Sequence, residues 1–118
     1  VALATNPLFP PPAIVSRLDW IGLTTAHFAL CTNYENARFC KPNPGYYHDI
    51  FAALQVAPEQ CLMVGNNVVE DICAAALGCQ TYLVTDYLEN PEGADYSMYP
   101  QGTLADFAAW IERLPQCL

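Results

Sequence analysis

This sequence predicts a doubly wound α/β fold, with a parallel sheet and helices on its faces, and three observations carry that expectation. Short apolar runs alternate with stretches of helical period along the whole chain. Gly, Pro and Asn punctuate the junctions between them. The run Cys61-Leu62-Met63-Val64 is apolar at consecutive positions, the pattern of a strand covered on both faces of a parallel sheet.

Val1 to Ala4 reads as a first strand, ending in Thr5-Asn6-Pro7. Pro10, Pro11 and Pro12 suit a loop and the opening turn of a helix, where a missing N–H costs nothing. Ile14, Leu18 and Ile21 repeat at helical spacing until Gly22 stops the helix. Phe28 to Thr32 is a second strand. Pro44 opens a helix with Tyr47, Ile50, Phe51 and Leu54 on one face. After the strand at Cys61 to Val64, Gly65-Asn66-Asn67 turns the chain into a helix with Val68, Val69, Ile72, Cys73 and Ala76 inward, ended by Gly78. Thr81 to Thr85 is a fourth strand, and a polar loop runs from Asp86 to Gly102. Thr103 and Asp106 have the spacing of a capping box, and the stripe expected of the last helix is Leu104, Phe107, Ala108 and Ile111. In such sheets ligands sit beyond the carboxyl ends of the strands, which directs attention to the loops at Thr5, Thr32, Gly65 and Asp86.

Composition narrows the function classes. At 53% hydrophobic and 14% charged residues the chain is globular rather than disordered. No apolar run reaches the roughly 18 residues of a membrane helix, and Val1-Ala2-Leu3-Ala4 has no basic flank of the kind a signal peptide carries. Net charge is −8, with Arg17, Arg38, Lys41 and Arg113 the whole basic complement, so no basic footprint for nucleic acid exists. A site for an anion must therefore draw on very few cations, and Lys41 stands out. Six cysteines form no C-x-x-C pair or Cys/His ligand set. Reduced thiols acting as small hydrophobes, and hence a cytoplasmic protein, are expected. His27 and His48 pair with no other ligand type and read as surface or helix-packing residues, and Trp20, Tyr82 and Trp110 as core or rim packing.

Three polar segments carry chemistry. The strand Leu3-Ala4-Thr5-Asn6 ends in a hydroxyl residue, and a hydroxyl with N–H groups at a strand end makes a small anion site. In Lys41-Pro42-Asn43-Pro44 the prolines stiffen the backbone so that Lys41 projects from a fixed point near a helix N-terminus. In Gly65-Asn66-Asn67-Val68-Val69-Glu70-Asp71, Asn67 suits a helix N-cap, while Glu70 and Asp71 suit the dipole of a first turn.

In this order and spacing the three segments resemble the haloacid dehalogenase-like (HAD) hydrolases, and the likeness runs from Val1 through the last helix. The strand Thr81 to Thr85 with Asp86 at its end is similar to that family's final strand. The resemblance implies a Rossmann-like core and a magnesium-dependent phosphatase acting on a small phosphorylated metabolite. It assigns Thr5, Asn6 and Lys41 to the phosphoryl group, with Thr5 and Lys41 as catalytic residues, and Asp71 with Asn66 or Asn67 to Mg²⁺. The family places Asp at the first metal position where this chain has Asn, and a neutral carbonyl holds Mg²⁺ less tightly than a carboxylate.

The family's nucleophile motif, Asp-x-Asp, occurs nowhere in these residues. Residues 1–118 are accordingly expected to be the C-terminal portion of a HAD-like core, inactive alone, with the nucleophile strand and cap supplied by a missing N-terminal segment of the same protein. In the family that strand is central, between those at Val1 and Cys61. An inactive HAD-fold binding or regulatory protein is the alternative, supported by the Asn substitutions. A flavodoxin-like or receiver-type module explains the alternation but not Lys-Pro-Asn-Pro.

Overall fold

Strands and helices alternate along most of the chain in the computed structural model, which describes residues 1–115, and every strand ladder among those residues is parallel. The protein is an α/β fold of the Rossmann-like kind, its parallel sheets flanked by helices. It divides into two units, Val1–Ala57 and Pro58–Leu118.

In the first unit β1 (Ala2–Leu3) pairs with β2 (Leu30–Cys31), Ala2 opposite Leu30 and Leu3 opposite Cys31. Helix α1 (Pro11–Asp19) starts on a proline, buries Ile14 and Leu18, and ends two residues before Ile21. Ile21 is therefore not part of its buried stripe: it is 68% exposed, because the chain has already left the helix before Gly22 turns it at φ 73°. Helix α2 (Pro44–Leu54) has Pro44 in its first turn, and the Asn43 side chain caps it by accepting from the Gly45 N–H at 2.8 Å. It buries Tyr46, Tyr47, Ile50 and Phe51, and Gln55 in the left-handed region ends it.

In the second unit β3 (Leu62–Gly65), β4 (Gln80–Val84) and β5 (Gln101–Gly102) form one sheet in that order. The strand covered on both faces is β4, where Thr81, Tyr82 and Leu83 are buried, while every residue of β3 is half-buried. Leu83 is wholly enclosed and packs with Val68 and Ile72, with Leu88, Tyr96 and Tyr99 against them. Burying such a leucine contributes about 2 kcal/mol.

Three further features differ from expectation. The segment after Gly65-Asn66-Asn67 winds as a 3-10 helix, Ile72–Leu77, rather than an α-helix. The tighter winding turns Ala76 out to solvent and brings Ala74 in. The loop from Asp86 to Gly102 contributes β5, which pairs with Leu83 and Val84, and a bridge between Glu89 and Asn67. Helix α3 (Leu104–Glu112) has the expected capping box, but Leu104, Ala108 and Ile111 are exposed. Its inward side is Phe107 and Trp110, with ring centroids 5.1 and 4.9 Å from Tyr82. An aromatic pair one turn apart has more area to bury than the aliphatic stripe, and it sets the rotation of the helix.

Cys31, Cys40, Cys61, Cys73 and Cys79 form no disulfide among the described residues, and Cys117 lies outside them. Burial pushes the Cys31, Cys61 and Cys79 thiols up, which favours their protonated form. His48 is exposed, and His27 accepts from the Thr24 N–H at 3.0 Å, closing a local turn. No helix among the described residues is long and apolar enough to cross a membrane.

Candidate functional site

The first group of candidate residues stands at the carboxyl end of β1. The parallel ladder with β2 ends at Leu3, and the chain leaves the sheet through Thr5 and Asn6, both half-buried. The Thr5 carbonyl is held by two buried hydroxyls, Tyr46 donating at 3.0 Å and Thr32 at 2.5 Å. Those hydroxyls lie 2.9 Å apart. Each carries one proton, and a carbonyl has two lone pairs, so both protons can go to Thr5. The Thr5 hydroxyl itself makes no hydrogen bond among the described residues.

The lysine loop is tied to this strand end by a side chain. Asn6 Oδ1 accepts from the Lys41 backbone N–H at 3.1 Å. The Lys41 ammonium sits over the Tyr46 ring, 5.7 Å from its centroid, within the range of a cation–π contact. Phe39 braces the same loop against α2. A Cβ on Gly45 would come within 2.6 Å of the Phe39 ring, so the close approach requires glycine there. Arg38 is committed elsewhere: its guanidinium bonds Asp49 at 3.0 Å through Nε, which raises the Arg38 pKa and lowers that of Asp49.

The second group forms the turn after β3. Asp71 is buried, and its Oδ2 accepts from the Asn67 N–H at 3.0 Å. Asn67 in turn caps the segment: its Oδ1 accepts from the Val69 N–H at 3.0 Å and the Glu70 N–H at 2.8 Å, and its Nδ2 donates to Glu89 at 3.0 Å. Both lone pairs of that amide oxygen are thereby engaged. Asn66 donates through Nδ2 to the Tyr87 carbonyl at 2.8 Å, and its Oδ1 accepts no hydrogen bond among the described residues. No cluster of three or more His, Cys, Asp or Glu side chains suited to a metal occurs among the described residues. Asp86, at the end of β4, accepts from the Leu104 N–H at 2.7 Å and so helps to anchor the start of α3.

Thr5, Asn6 and Lys41 thus come together within the first unit, and Asn66, Asn67 and Asp71 within the second. Tyr46 and Glu89 were not legible as members of either group, and Thr32 was marked only as the start of a strand-end loop. For Tyr46 a signal existed, since it follows Lys-Pro-Asn-Pro by two residues, but helical periodicity drew attention to Tyr47 instead.

Residues 39–109, more than half of the chain, match the family model described as HAD-hydrolase-like. That range contains Lys41, Asn66, Asn67 and Asp71, while Thr5 and Asn6 precede it. The chain is also 34% identical over 59 residues to haloacid dehalogenase-like hydrolase domain-containing protein 3 of Xenopus laevis, a match covering 49% of this chain and 24% of that protein. The chain spans about a quarter of the length of the curated relative it matches.

Proposed function

The chain belongs to the HAD-like hydrolase family, and from that premise we propose that it is the phosphate- and metal-binding part of a magnesium-dependent phosphohydrolase. The substrate class is a small phosphorylated metabolite. The observation that carries the reading is the bond from the Lys41 N–H to Asn6, which ties the lysine loop to the strand end bearing Thr5. A hydroxyl, a backbone N–H and an ammonium then belong to one strand end and the loop bonded to it, and these are the donor types a phosphoryl group requires. In a chain with four basic residues, one already paired with Asp49, a lysine held at such a point supports an anionic substrate.

In this reading Lys41 neutralises phosphate charge, and Thr5 with the Asn6 N–H orients the phosphoryl oxygens. In the proposed reaction the first carboxylate of an Asp-x-Asp segment outside these 118 residues attacks phosphorus, the ester P–O bond breaks, and the second Asp protonates the departing alcohol; water then cleaves the aspartyl phosphate to release phosphate. The residues of the second turn fit a shared metal site rather than a complete cage. Asp71 brings one carboxylate and Asn66 one amide oxygen, while the Asn67 oxygen is used by its cap. Mg²⁺ is commonly held by one or two carboxylates together with waters and substrate oxygens, and when bound it supplies positive charge that offsets the negative charge of a phosphoryl group. Five cysteines without a disulfide among the described residues fit a reducing, cytoplasmic setting.

The test is hydrolysis of a generic phosphomonoester by the complete protein, with and without Mg²⁺. Metal-dependent turnover supports the enzyme. Its absence in a protein whose upstream segment carries Asp-x-Asp would favour the alternative, a HAD-fold binding protein, for which the Asn residues at 66 and 67 are the supporting observation.

A further inference from the structure

We infer that Tyr46 is a positioning residue for the phosphate site, aiming the Asn6 N–H and seating Lys41 from one buried side chain. The inference rests on the reading above, in which Thr5, Asn6 and Lys41 take a phosphoryl group.

Tyr46 lies in the first turn of α2 and is 2% exposed. Packing alone would be served by phenylalanine, and a buried hydroxyl without a partner is costly. Its hydroxyl is satisfied by the Thr5 carbonyl at 3.0 Å, with Thr32, 4% exposed, converging on the same oxygen. A trans peptide is planar, so the Thr5 carbonyl and the Asn6 N–H point in opposite directions. Two hydroxyls that draw the carbonyl toward α2 therefore aim the Asn6 N–H away from it. The face of the Tyr46 ring lies under the Lys41 ammonium at 5.7 Å. The Asn6 side chain completes the arrangement by holding the Lys41 N–H. Hydroxyl and ring are separable: the first acts on the Thr5–Asn6 peptide, the second on the ammonium.

Calorimetric titration of inorganic phosphate into the complete protein with Mg²⁺ present, alongside kcat and KM for a phosphomonoester, separates these roles. Tyr46→Phe keeps the ring and drops the hydroxyl. Phosphate affinity should weaken about three- to tenfold, the effect of one lost hydrogen bond. The Asn6 amide resonance should shift, and thermal stability should fall only slightly. Tyr46→Leu removes the ring as well and should weaken phosphate binding further. Thr32→Val should reproduce Tyr46→Phe, and Thr32→Ser should restore the original affinity. If Tyr46→Phe fails to fold, the Thr32 pair decides. Unchanged phosphate affinity in Tyr46→Phe and Thr32→Val, with Lys41→Ala and Thr5→Ala still weakened, overturns the positioning role and leaves the phosphate site standing. Unchanged affinity in Lys41→Ala and Thr5→Ala overturns the phosphate site, and the role of Tyr46 falls with it.

Discussion

The Asp71 carboxylate packs directly on the backbone of Gly65. A Cβ added at Gly65 would overlap that carboxylate and come within 2.7 Å of the Asp71 Cβ. Glycine is required here by the neighbour rather than by backbone conformation. Gly65→Ala should push Asp71 off the Asn67 N–H, destabilising the second unit by about 1–3 kcal/mol, the usual cost of overpacking. A denaturant melt reads the loss. Stability equal to the parent would show that the turn accommodates the methyl group without moving Asp71.

Lys41→Ala in the complete protein should lower phosphomonoester turnover by orders of magnitude while the melting temperature barely changes. The lysine is only half-buried, so little packing is lost with it. Near-equal rates would return Lys41 to the role of a surface charge.

Asp71→Asn removes the carboxylate of the proposed metal turn and should raise the Mg²⁺ concentration needed for half-maximal activity sharply. Asn66→Asp adds a carboxylate in place of an amide oxygen and should lower it. Asn67→Asp keeps the capping oxygen and should act less than Asn66→Asp. A magnesium titration of the three variants checks the order, and three curves matching the parent would count against this turn as the metal site.

Helix α3 should lose stability on acidification. The Thr103 N–H bonds Asp106 at 2.9 Å, which holds that carboxyl below its ordinary range. A depressed folded value means that the stabilisation is present above the unfolded pKa, about 3.9, and is lost as pH falls through the folded one. Melting curves between about pH 5 and about pH 2 should show this loss, and Asp106→Asn should flatten it. An acid limb unchanged by Asp106→Asn would place the titrating group elsewhere.

Residues 1–118 alone should show no cooperative thermal transition by circular dichroism. The ladder of the first unit joins two strands of two residues each, and isolated two-stranded pairings are marginal in water. Joining the proposed upstream segment should restore cooperativity. A sharp two-state melt of the 118 residues by themselves would contradict the proposal that they depend on it.

Several features were legible because they depend on neighbours in the chain. Pro11 and Pro44 opening their helices, Thr103 capping the last one, and the Lys41 loop before α2 are settled by residues two or three positions apart. The misread features depend on distant partners. Gln101-Gly102 has no strand propensity, and becomes a strand because the exposed edge of β4 offers hydrogen bonds to any chain passing it. The stripe of α3 turned toward Phe107 and Trp110 because Tyr82, more than twenty residues away, presents the surface they cover.

The candidate groups divide along the same line. Thr5, Lys41 and Asp71 could be singled out through the family resemblance, since each proposed role calls for a particular functional group at a strand end or helix start. Their supports could not. Tyr46 and Thr32 reach the Thr5 carbonyl across 41 and 27 residues, and Glu89 reaches Asn67 across 22. A functional group belongs to its residue wherever the chain goes, so the sequence discloses it. A hydrogen bond depends on distance and direction between segments, and those exist only once the sheets and helices have packed.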